Sequence, residues 1–178
     1  MERGRKTDLT QQGGARVEGK RLDGKKVLIV DDEPDVLETL GQLLFMCDLR
    51  KALSFDEARE LLEREKLDMA VLDIMGVDGY KLLEIAKKRN VLAVMLTAHA
   101  LSVEDTIRSF KNGAASYLPK DEMAHIASFL EELLEDKERG GHFGSRWLER
   151  WGEYYDKKFG PDWRDEDKEF WEKFQYWI

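Results

Sequence analysis

At 178 residues, 42% hydrophobic and 37% charged, the chain can bury one good core and carry an appendage. A net charge of −8 argues against a protein that grips nucleic acid by bulk electrostatics. The single cysteine, Cys47, excludes an internal disulfide, fits a reducing compartment and reads as filler on the apolar side of a helix rather than as a redox centre.

Residues 1–24 carry Gly4, Gly13, Gly14, Gly19 and Gly24 among scattered charges, with too few apolar residues to offset the entropy of ordering. They are expected to form a disordered N-terminal arm. The first six residues lack the apolar core of a secretory signal, and no run approaches the roughly 20 apolar residues needed to span a bilayer. A cytoplasmic setting without membrane contact is therefore expected.

From residue 25 to about 138, short apolar runs alternate with helical periodicity, the pattern of βα units and a parallel sheet. The expected strands lie near 26–31, 49–53, 68–73, 91–97 and 115–118. The expected helices follow them at 34–47, 56–65, 79–89, 102–112 and 121–138. Pro34 suits a first helical turn, Asp32 is a candidate cap as well as a ligand, and Asn112-Gly113 is a helix stop. Five such units predict an α/β fold: a doubly wound, flavodoxin-like five-stranded parallel sheet of order 2-1-3-4-5.

All five tryptophans, Trp147, Trp151, Trp163, Trp171 and Trp177, fall in the last part of the chain, so 142–178 reads as a separate aromatic extension. Trp147, Trp151, Tyr154, Tyr155 and Lys158 share one helical face. Gly160-Pro161 then stops that helix, and Asp162 or Asp165 can cap a second one carrying Phe170, Trp171, Phe174 and Trp177. A helical hairpin this small and aromatic needs a surface to pack on.

Polar residues cluster where the strands end. Val27-Leu28-Ile29-Val30 leads into Asp31-Asp32, and Met69-Ala70-Val71-Leu72 into Asp73. The predicted order sets the first strand beside the third, so the three carboxylates meet at the sheet's carboxyl edge, where such folds hold their sites. Like charges that close resist joint ionisation unless a cation joins them, and oxygen ligands favour a hard divalent ion, Mg2+ first. Thr97 ends the fourth strand and Lys120 follows the fifth.

Together, Asp31, Asp32, Asp73, Thr97 and Lys120 resemble the receiver domain of bacterial two-component response regulators, over roughly residues 25–137. The resemblance implies that Asp73 is the phosphoacceptor, with Lys120 and Thr97 contacting the phosphoryl oxygens. It also implies Mg2+ held by Asp31, Asp32, Asp73 and the backbone carbonyl of Met75. Tyr117 matches the family's switch aromatic, which moves inward when Thr97 is drawn toward the phosphoryl group. Met75 and His99 match positions governing access of the hydrolytic water, from which slow self-dephosphorylation is expected. His125 and His142 receive no role.

Two departures touch this site. Asp73-Ile74-Met75-Gly76-Val77-Asp78-Gly79 is about two residues shorter than the family's loop and lacks its proline, so a tightened loop is expected. Lys120 is followed by Asp121 rather than by the family's cis proline. A cis bond before a non-proline residue costs roughly 2.5 to 4 kcal/mol, so a trans peptide is expected.

The leading reading is a non-enzymatic signalling receiver, phosphorylated by a histidine kinase or histidine phosphotransfer protein and acting through protein contacts. One alternative is a degenerate receiver serving as a phosphorylation-independent adaptor. Another is a Mg2+-dependent aspartyl phosphohydrolase, which would need an acid where Met75 stands. The first strand lacks the glycine-rich turn of a dinucleotide site. Residues 142–178 hold nine acidic against seven basic residues, which gives no footprint for direct DNA contact. Two arrangements of the extension are open: docking on the face of the fourth helix, fifth strand and fifth helix against Phe110, Tyr117 and Phe129, or joining two chains in a homodimer.

Overall fold

A computed structural model describes residues 20–98, 102–141 and 143–176. Five parallel strands, β1 (Lys26–Val30), β2 (Asp48–Ala52), β3 (Met69–Asp73), β4 (Leu92–Thr97) and β5 (Ser116–Pro119), lie in the order β2-β1-β3-β4-β5. The helices α1 (Pro34–Leu43), α2 (Phe55–Arg64), α3 (Gly79–Lys88), α4 (Val103–Lys111) and α5 (Ile126–Arg139) connect or follow them. The doubly wound, flavodoxin-like fold expected from the sequence is thus the one observed. Its central strand β3 is buried along its whole length, as a strand covered on both faces must be.

Element boundaries differ from expectation where local chemistry competes with periodicity. The first helix stops at Leu43 instead of 47, and the Met46 carbonyl beyond it accepts the Gly24 N–H at 2.9 Å. The fifth helix begins at Ile126 rather than 121, because Lys120–His125 forms a 3-10 helix that buries no residue. Asp32 does not cap α1. Glu33 is the N-cap residue without a side-chain cap bond, while Asp31 Oδ1 accepts the Glu33 N–H at 3.0 Å.

Only residues 20–24 of the expected arm are described, and they do not form a loose tail. Leu22 is fully buried, and the Arg21 and Leu22 N–H groups donate to Glu131 on α5 at 2.6 and 3.2 Å. The ordered unit therefore starts before residue 25. The rest of the arm lies outside the described residues.

The extension forms α6 (Phe143–Phe159), a 3-10 turn at Trp163–Asp167 and α7 (Lys168–Phe174). Asp167, not Asp162 or Asp165, caps α7 by accepting the Phe170 N–H at 3.0 Å. Trp147, Trp151, Tyr155, Trp163, Phe170, Trp171 and Phe174 are buried and continue the receiver core as one cluster. Trp177 and His142 lie outside the described residues.

Within the single chain described, the hairpin is docked. It packs on α4, β5 and α5 of its own chain, with Phe110 against Trp147 and Phe174, and Phe129 against Trp151.

Candidate functional site at the carboxyl edge of the sheet

Parallel register aligns the ends of the four strands that carry the site. Val30 is level with Leu72, Asp73 with Leu96, and Thr97 with Pro119, so Asp31, Asp73, Thr97 and Lys120 emerge at one edge. Asp31 and Asp73 are buried, at 0% and 4% exposure, which is rare for carboxylates without partners. The partner is Lys120, whose Nζ stands 2.6 Å from Asp31 Oδ2, 3.1 Å from Glu33 Oε1 and 3.3 Å from Asp73 Oδ1.

Burial, and after it the charge of Asp31, raises the Asp73 carboxyl to about 6 against the pull of Lys120. Asp73 is therefore mostly ionised at neutral pH and is available as a nucleophile without a general base. Burial alone would lower the Lys120 pKa. Hydrogen bonding to Asp31 and Glu33 and the charge of Asp73 outweigh that and raise it, so the lysine is a fixed cation.

The loop after β3 is tight, as its length predicts. The Met75 carbonyl accepts the Val77 N–H at 2.7 Å, and the Ile74 carbonyl accepts that of Gly79 at 3.2 Å. Gly76 has φ +73°, and a Cβ there would meet the Asp32 carboxylate at 2.5 Å, so this glycine makes the seat for Asp32. Gly79 lies against the Asp73 carbonyl too closely for any side chain.

Asp31, Asp32 and Glu33 each offer an oxygen within 4.8 Å of the others. This all-carboxylate set fits a hard divalent cation such as Mg2+. It shares Asp31 and Asp32 with the expected ligands Asp31, Asp32, Asp73 and the Met75 carbonyl; Asp31, Glu33 and Asp73 all contact Lys120, and the Met75 carbonyl accepts the Val77 N–H. Sequence reasoning missed Glu33 as a site residue, although an acid directly after the Asp pair was the available signal. Met75, expected to shield the site from water, is 66% exposed. His99 lies outside the described residues.

Thr97 is 7% exposed and lies beside the phenol of Tyr117, which is itself 1% exposed. Tyr117, expected as the switch aromatic, is thus buried. Among the described residues no peptide bond is cis, so the one between Lys120 and Asp121 is trans, as expected. Cys47 is half-buried, and burial pushes its thiol up to about 11, in keeping with a packing role.

Residues 27–131 match the response regulator receiver domain family. Among curated relatives, the response regulator protein PilR of Pseudomonas aeruginosa is 38% identical over 107 residues, covering 56% of this chain and 23% of PilR. The transcriptional activator protein PfeR of the same organism is 34% identical over 118 residues, covering 64% of this chain and 39% of PfeR. The chain thus spans less than half the length of these two relatives.

Among solved structures, the CheY-like response regulator receiver domain protein of Methanospirillum hungatei JF-1 superposes with a TM-score of 0.60 at 28% identity. That match covers 66% of this chain and 99% of the other. The receiver domain of the Francisella response regulator 1452 gives a TM-score of 0.57 at 26% identity, covering 64% and 99%.

Proposed function

This chain belongs to the response regulator receiver family, and on that premise we propose that Asp73 accepts a phosphoryl group from a phosphohistidine. The donor is a histidine kinase or histidine phosphotransfer protein, and the output passes through protein contacts. The observation that carries this reading is the cation of Lys120 shared between two buried carboxylates, Asp31 and Asp73, with Thr97 at the same sheet edge.

In the reaction, an Asp73 carboxylate oxygen attacks phosphorus in line. An O–P bond forms, the donor's P–N bond breaks, and the leaving imidazole takes up a proton. Lys120 leaves the Asp73 oxygen for a phosphoryl oxygen, while Thr97 donates its hydroxyl proton to another. Bound at Asp31, Asp32 and Glu33, Mg2+ would supply further neutralisation of the phosphoryl charge. The protein's own share is to hold Asp73 ionised, to present Lys120 and Thr97, and to exclude bulk water from a carboxylate that is 4% exposed.

This is a signalling role rather than an enzymatic one. An aspartyl phosphohydrolase would place its acid two residues after the nucleophile, and Met75 stands there. No helix among the described residues is long and apolar enough to cross a membrane. That and the single cysteine support a cytoplasmic setting, and the acidic extension supports an output that does not touch nucleic acid directly.

Intact-mass measurement after incubation with acetyl phosphate and Mg2+ tests the proposal. The wild type should gain one phosphoryl group, and Asp73→Asn should not. A second reading, the phosphorylation-independent adaptor, is favoured by the tightened loop after Asp73. The absence of any mass gain would make it the leading account.

A further inference from the structure

Lys120 is not centred on Asp73. Its Nζ lies 2.6 Å from Asp31 Oδ2 and 3.1 Å from Glu33 Oε1, both closer than the 3.3 Å to Asp73 Oδ1. The turn after β1 accounts for the pull. The Glu33 N–H donates to Asp31 Oδ1 at 3.0 Å and Pro34 starts α1 directly afterwards, so the backbone of Glu33 is fixed beside Asp31. Glu33 occupies the N-cap position of α1, yet its side chain makes no cap bond and reaches the ammonium instead. The helix N-terminus favours a negative charge there whichever cation it faces.

Glu33 therefore belongs to two sets. With Asp31 and Asp73 it holds Lys120, and with Asp31 and Asp32 it forms the group whose oxygens lie within 4.8 Å of one another. Of the three ion pairs of Lys120, the one with Glu33 is the most readily exchanged. The Glu33 side chain is 62% exposed, against 0% for Asp31 and 6% for Asp73, so water screens its pair most. A divalent ion carries twice the charge of the ammonium, and carboxylate oxygens suit it. With the backbone held by Asp31 and Pro34, a change of partner at Glu33 needs only a change of side-chain rotamer.

We propose that Glu33 is a positioning residue with two alternative partners: it holds Lys120 toward β1, and it exchanges the ammonium for a divalent cation, which leaves Lys120 to Asp73 and to a phosphoryl group there. The inference rests on the phosphoacceptor reading and adds to it the residue through which cation binding readies the lysine. Competition for one carboxylate requires Lys120 and the cation to weaken each other's hold on Glu33 equally.

The test is a double-mutant cycle on the full chain, read as Mg2+ affinity by calorimetric titration without any phosphoryl donor. Glu33→Gln keeps the side-chain length and removes the charge, and Lys120→Met keeps the stem and removes the ammonium. Glu33→Gln alone should weaken Mg2+ binding on the order of tenfold. Lys120→Met should tighten it on the order of tenfold while Glu33 is present, and by severalfold less in the Glu33→Gln background. General repulsion between lysine and cation acts in both backgrounds, whereas competition for Glu33 acts in one. In NMR of the lysine ammonium groups, saturating Mg2+ should shift the Lys120 resonance further in the wild type than in Glu33→Gln. Glu38→Gln, an exposed α1 position, should match the wild type in both measurements.

An equal gain from Lys120→Met in the two backgrounds would overturn the exchange and leave the phosphoacceptor reading standing. Unchanged Mg2+ affinity in Glu33→Gln would overturn it as well, because Glu33 would then have no second partner. If the cycle showed coupling while acetyl phosphate added no mass at Asp73, the phosphoacceptor reading would fall and the readying of the lysine with it. Should Lys120→Met not fold, the ammonium resonance decides alone: equal Mg2+ shifts in the wild type and Glu33→Gln overturn the exchange.

Discussion

Burial and the charge of Asp31 push the Asp73 carboxyl up to about 6, and this has a consequence for stability. The folded-state value lies above the unfolded value of about 3.9, so the native protein holds this proton more tightly. The contribution is fully present below about pH 4 and is lost as pH rises through about 6. At neutral pH the ionised group costs the metal-free fold on the order of 2–3 kcal/mol. Asp73→Asn should therefore raise the thermal midpoint in the presence of a chelator at pH 7.5, and by much less at pH 4.5. Equal shifts at the two pH values would refute this assignment. Gly76 makes a second residue-scale case. A side chain at φ +73° is strained by roughly 1–2 kcal/mol and collides with Asp32, so Gly76→Ala should weaken Mg2+ binding about tenfold by calorimetric titration.

At the scale of elements, α4 is the helix most burdened by the extension. Its Phe110 is fully buried, with the Trp147 ring 5.3 Å away and the Phe174 ring 4.5 Å away. Phe110→Ala should cost about 3–5 kcal/mol in denaturant unfolding, since it empties a space shared by α4, α6 and α7. The same substitution should make α6 exchange its amides faster than β1 does, because the seam loses its centre while the sheet does not. Uniform loss across both elements would mean that hairpin and receiver unfold as one unit. The aromatic spacing in 142–178 told of helices with an apolar face, whereas the cap at Asp167 depended on where the 3-10 turn left the chain. Likewise the true start of α5 at Ile126 reflects which residues find a buried neighbour, which periodicity alone does not report.

For the molecule as a whole, the hairpin occupies a face that would otherwise expose Phe110, Phe129 and the β5 edge. The chain should sediment as a monomer near 20.7 kDa with and without beryllofluoride. Removing residues 142–178 should produce self-association or binding of an apolar dye. A truncated chain that stays monomeric and binds no dye would show that the covered face needs no occupant.

The alternation of apolar strands and amphipathic helices dictated the parallel sheet, and carboxylates at the ends of β1 and β3 followed into one site because strand order and period are set by short-range pattern. What the linear chain left open were matters of three-dimensional proximity. Glu33 joins the acidic set because the turn after β1 curls back toward Lys120. Asp32 rests on Gly76 because the shortened loop folds under it. The hairpin fits the face of its own chain because Trp147, Tyr155 and Asp167 find a carbonyl, a hydroxyl and an ammonium on β5 and α4 at hydrogen-bonding distance. Helical period and apolar faces are local properties that residue order determines, whereas which faces meet depends on shape and polar matching, which exist only once the chain has folded.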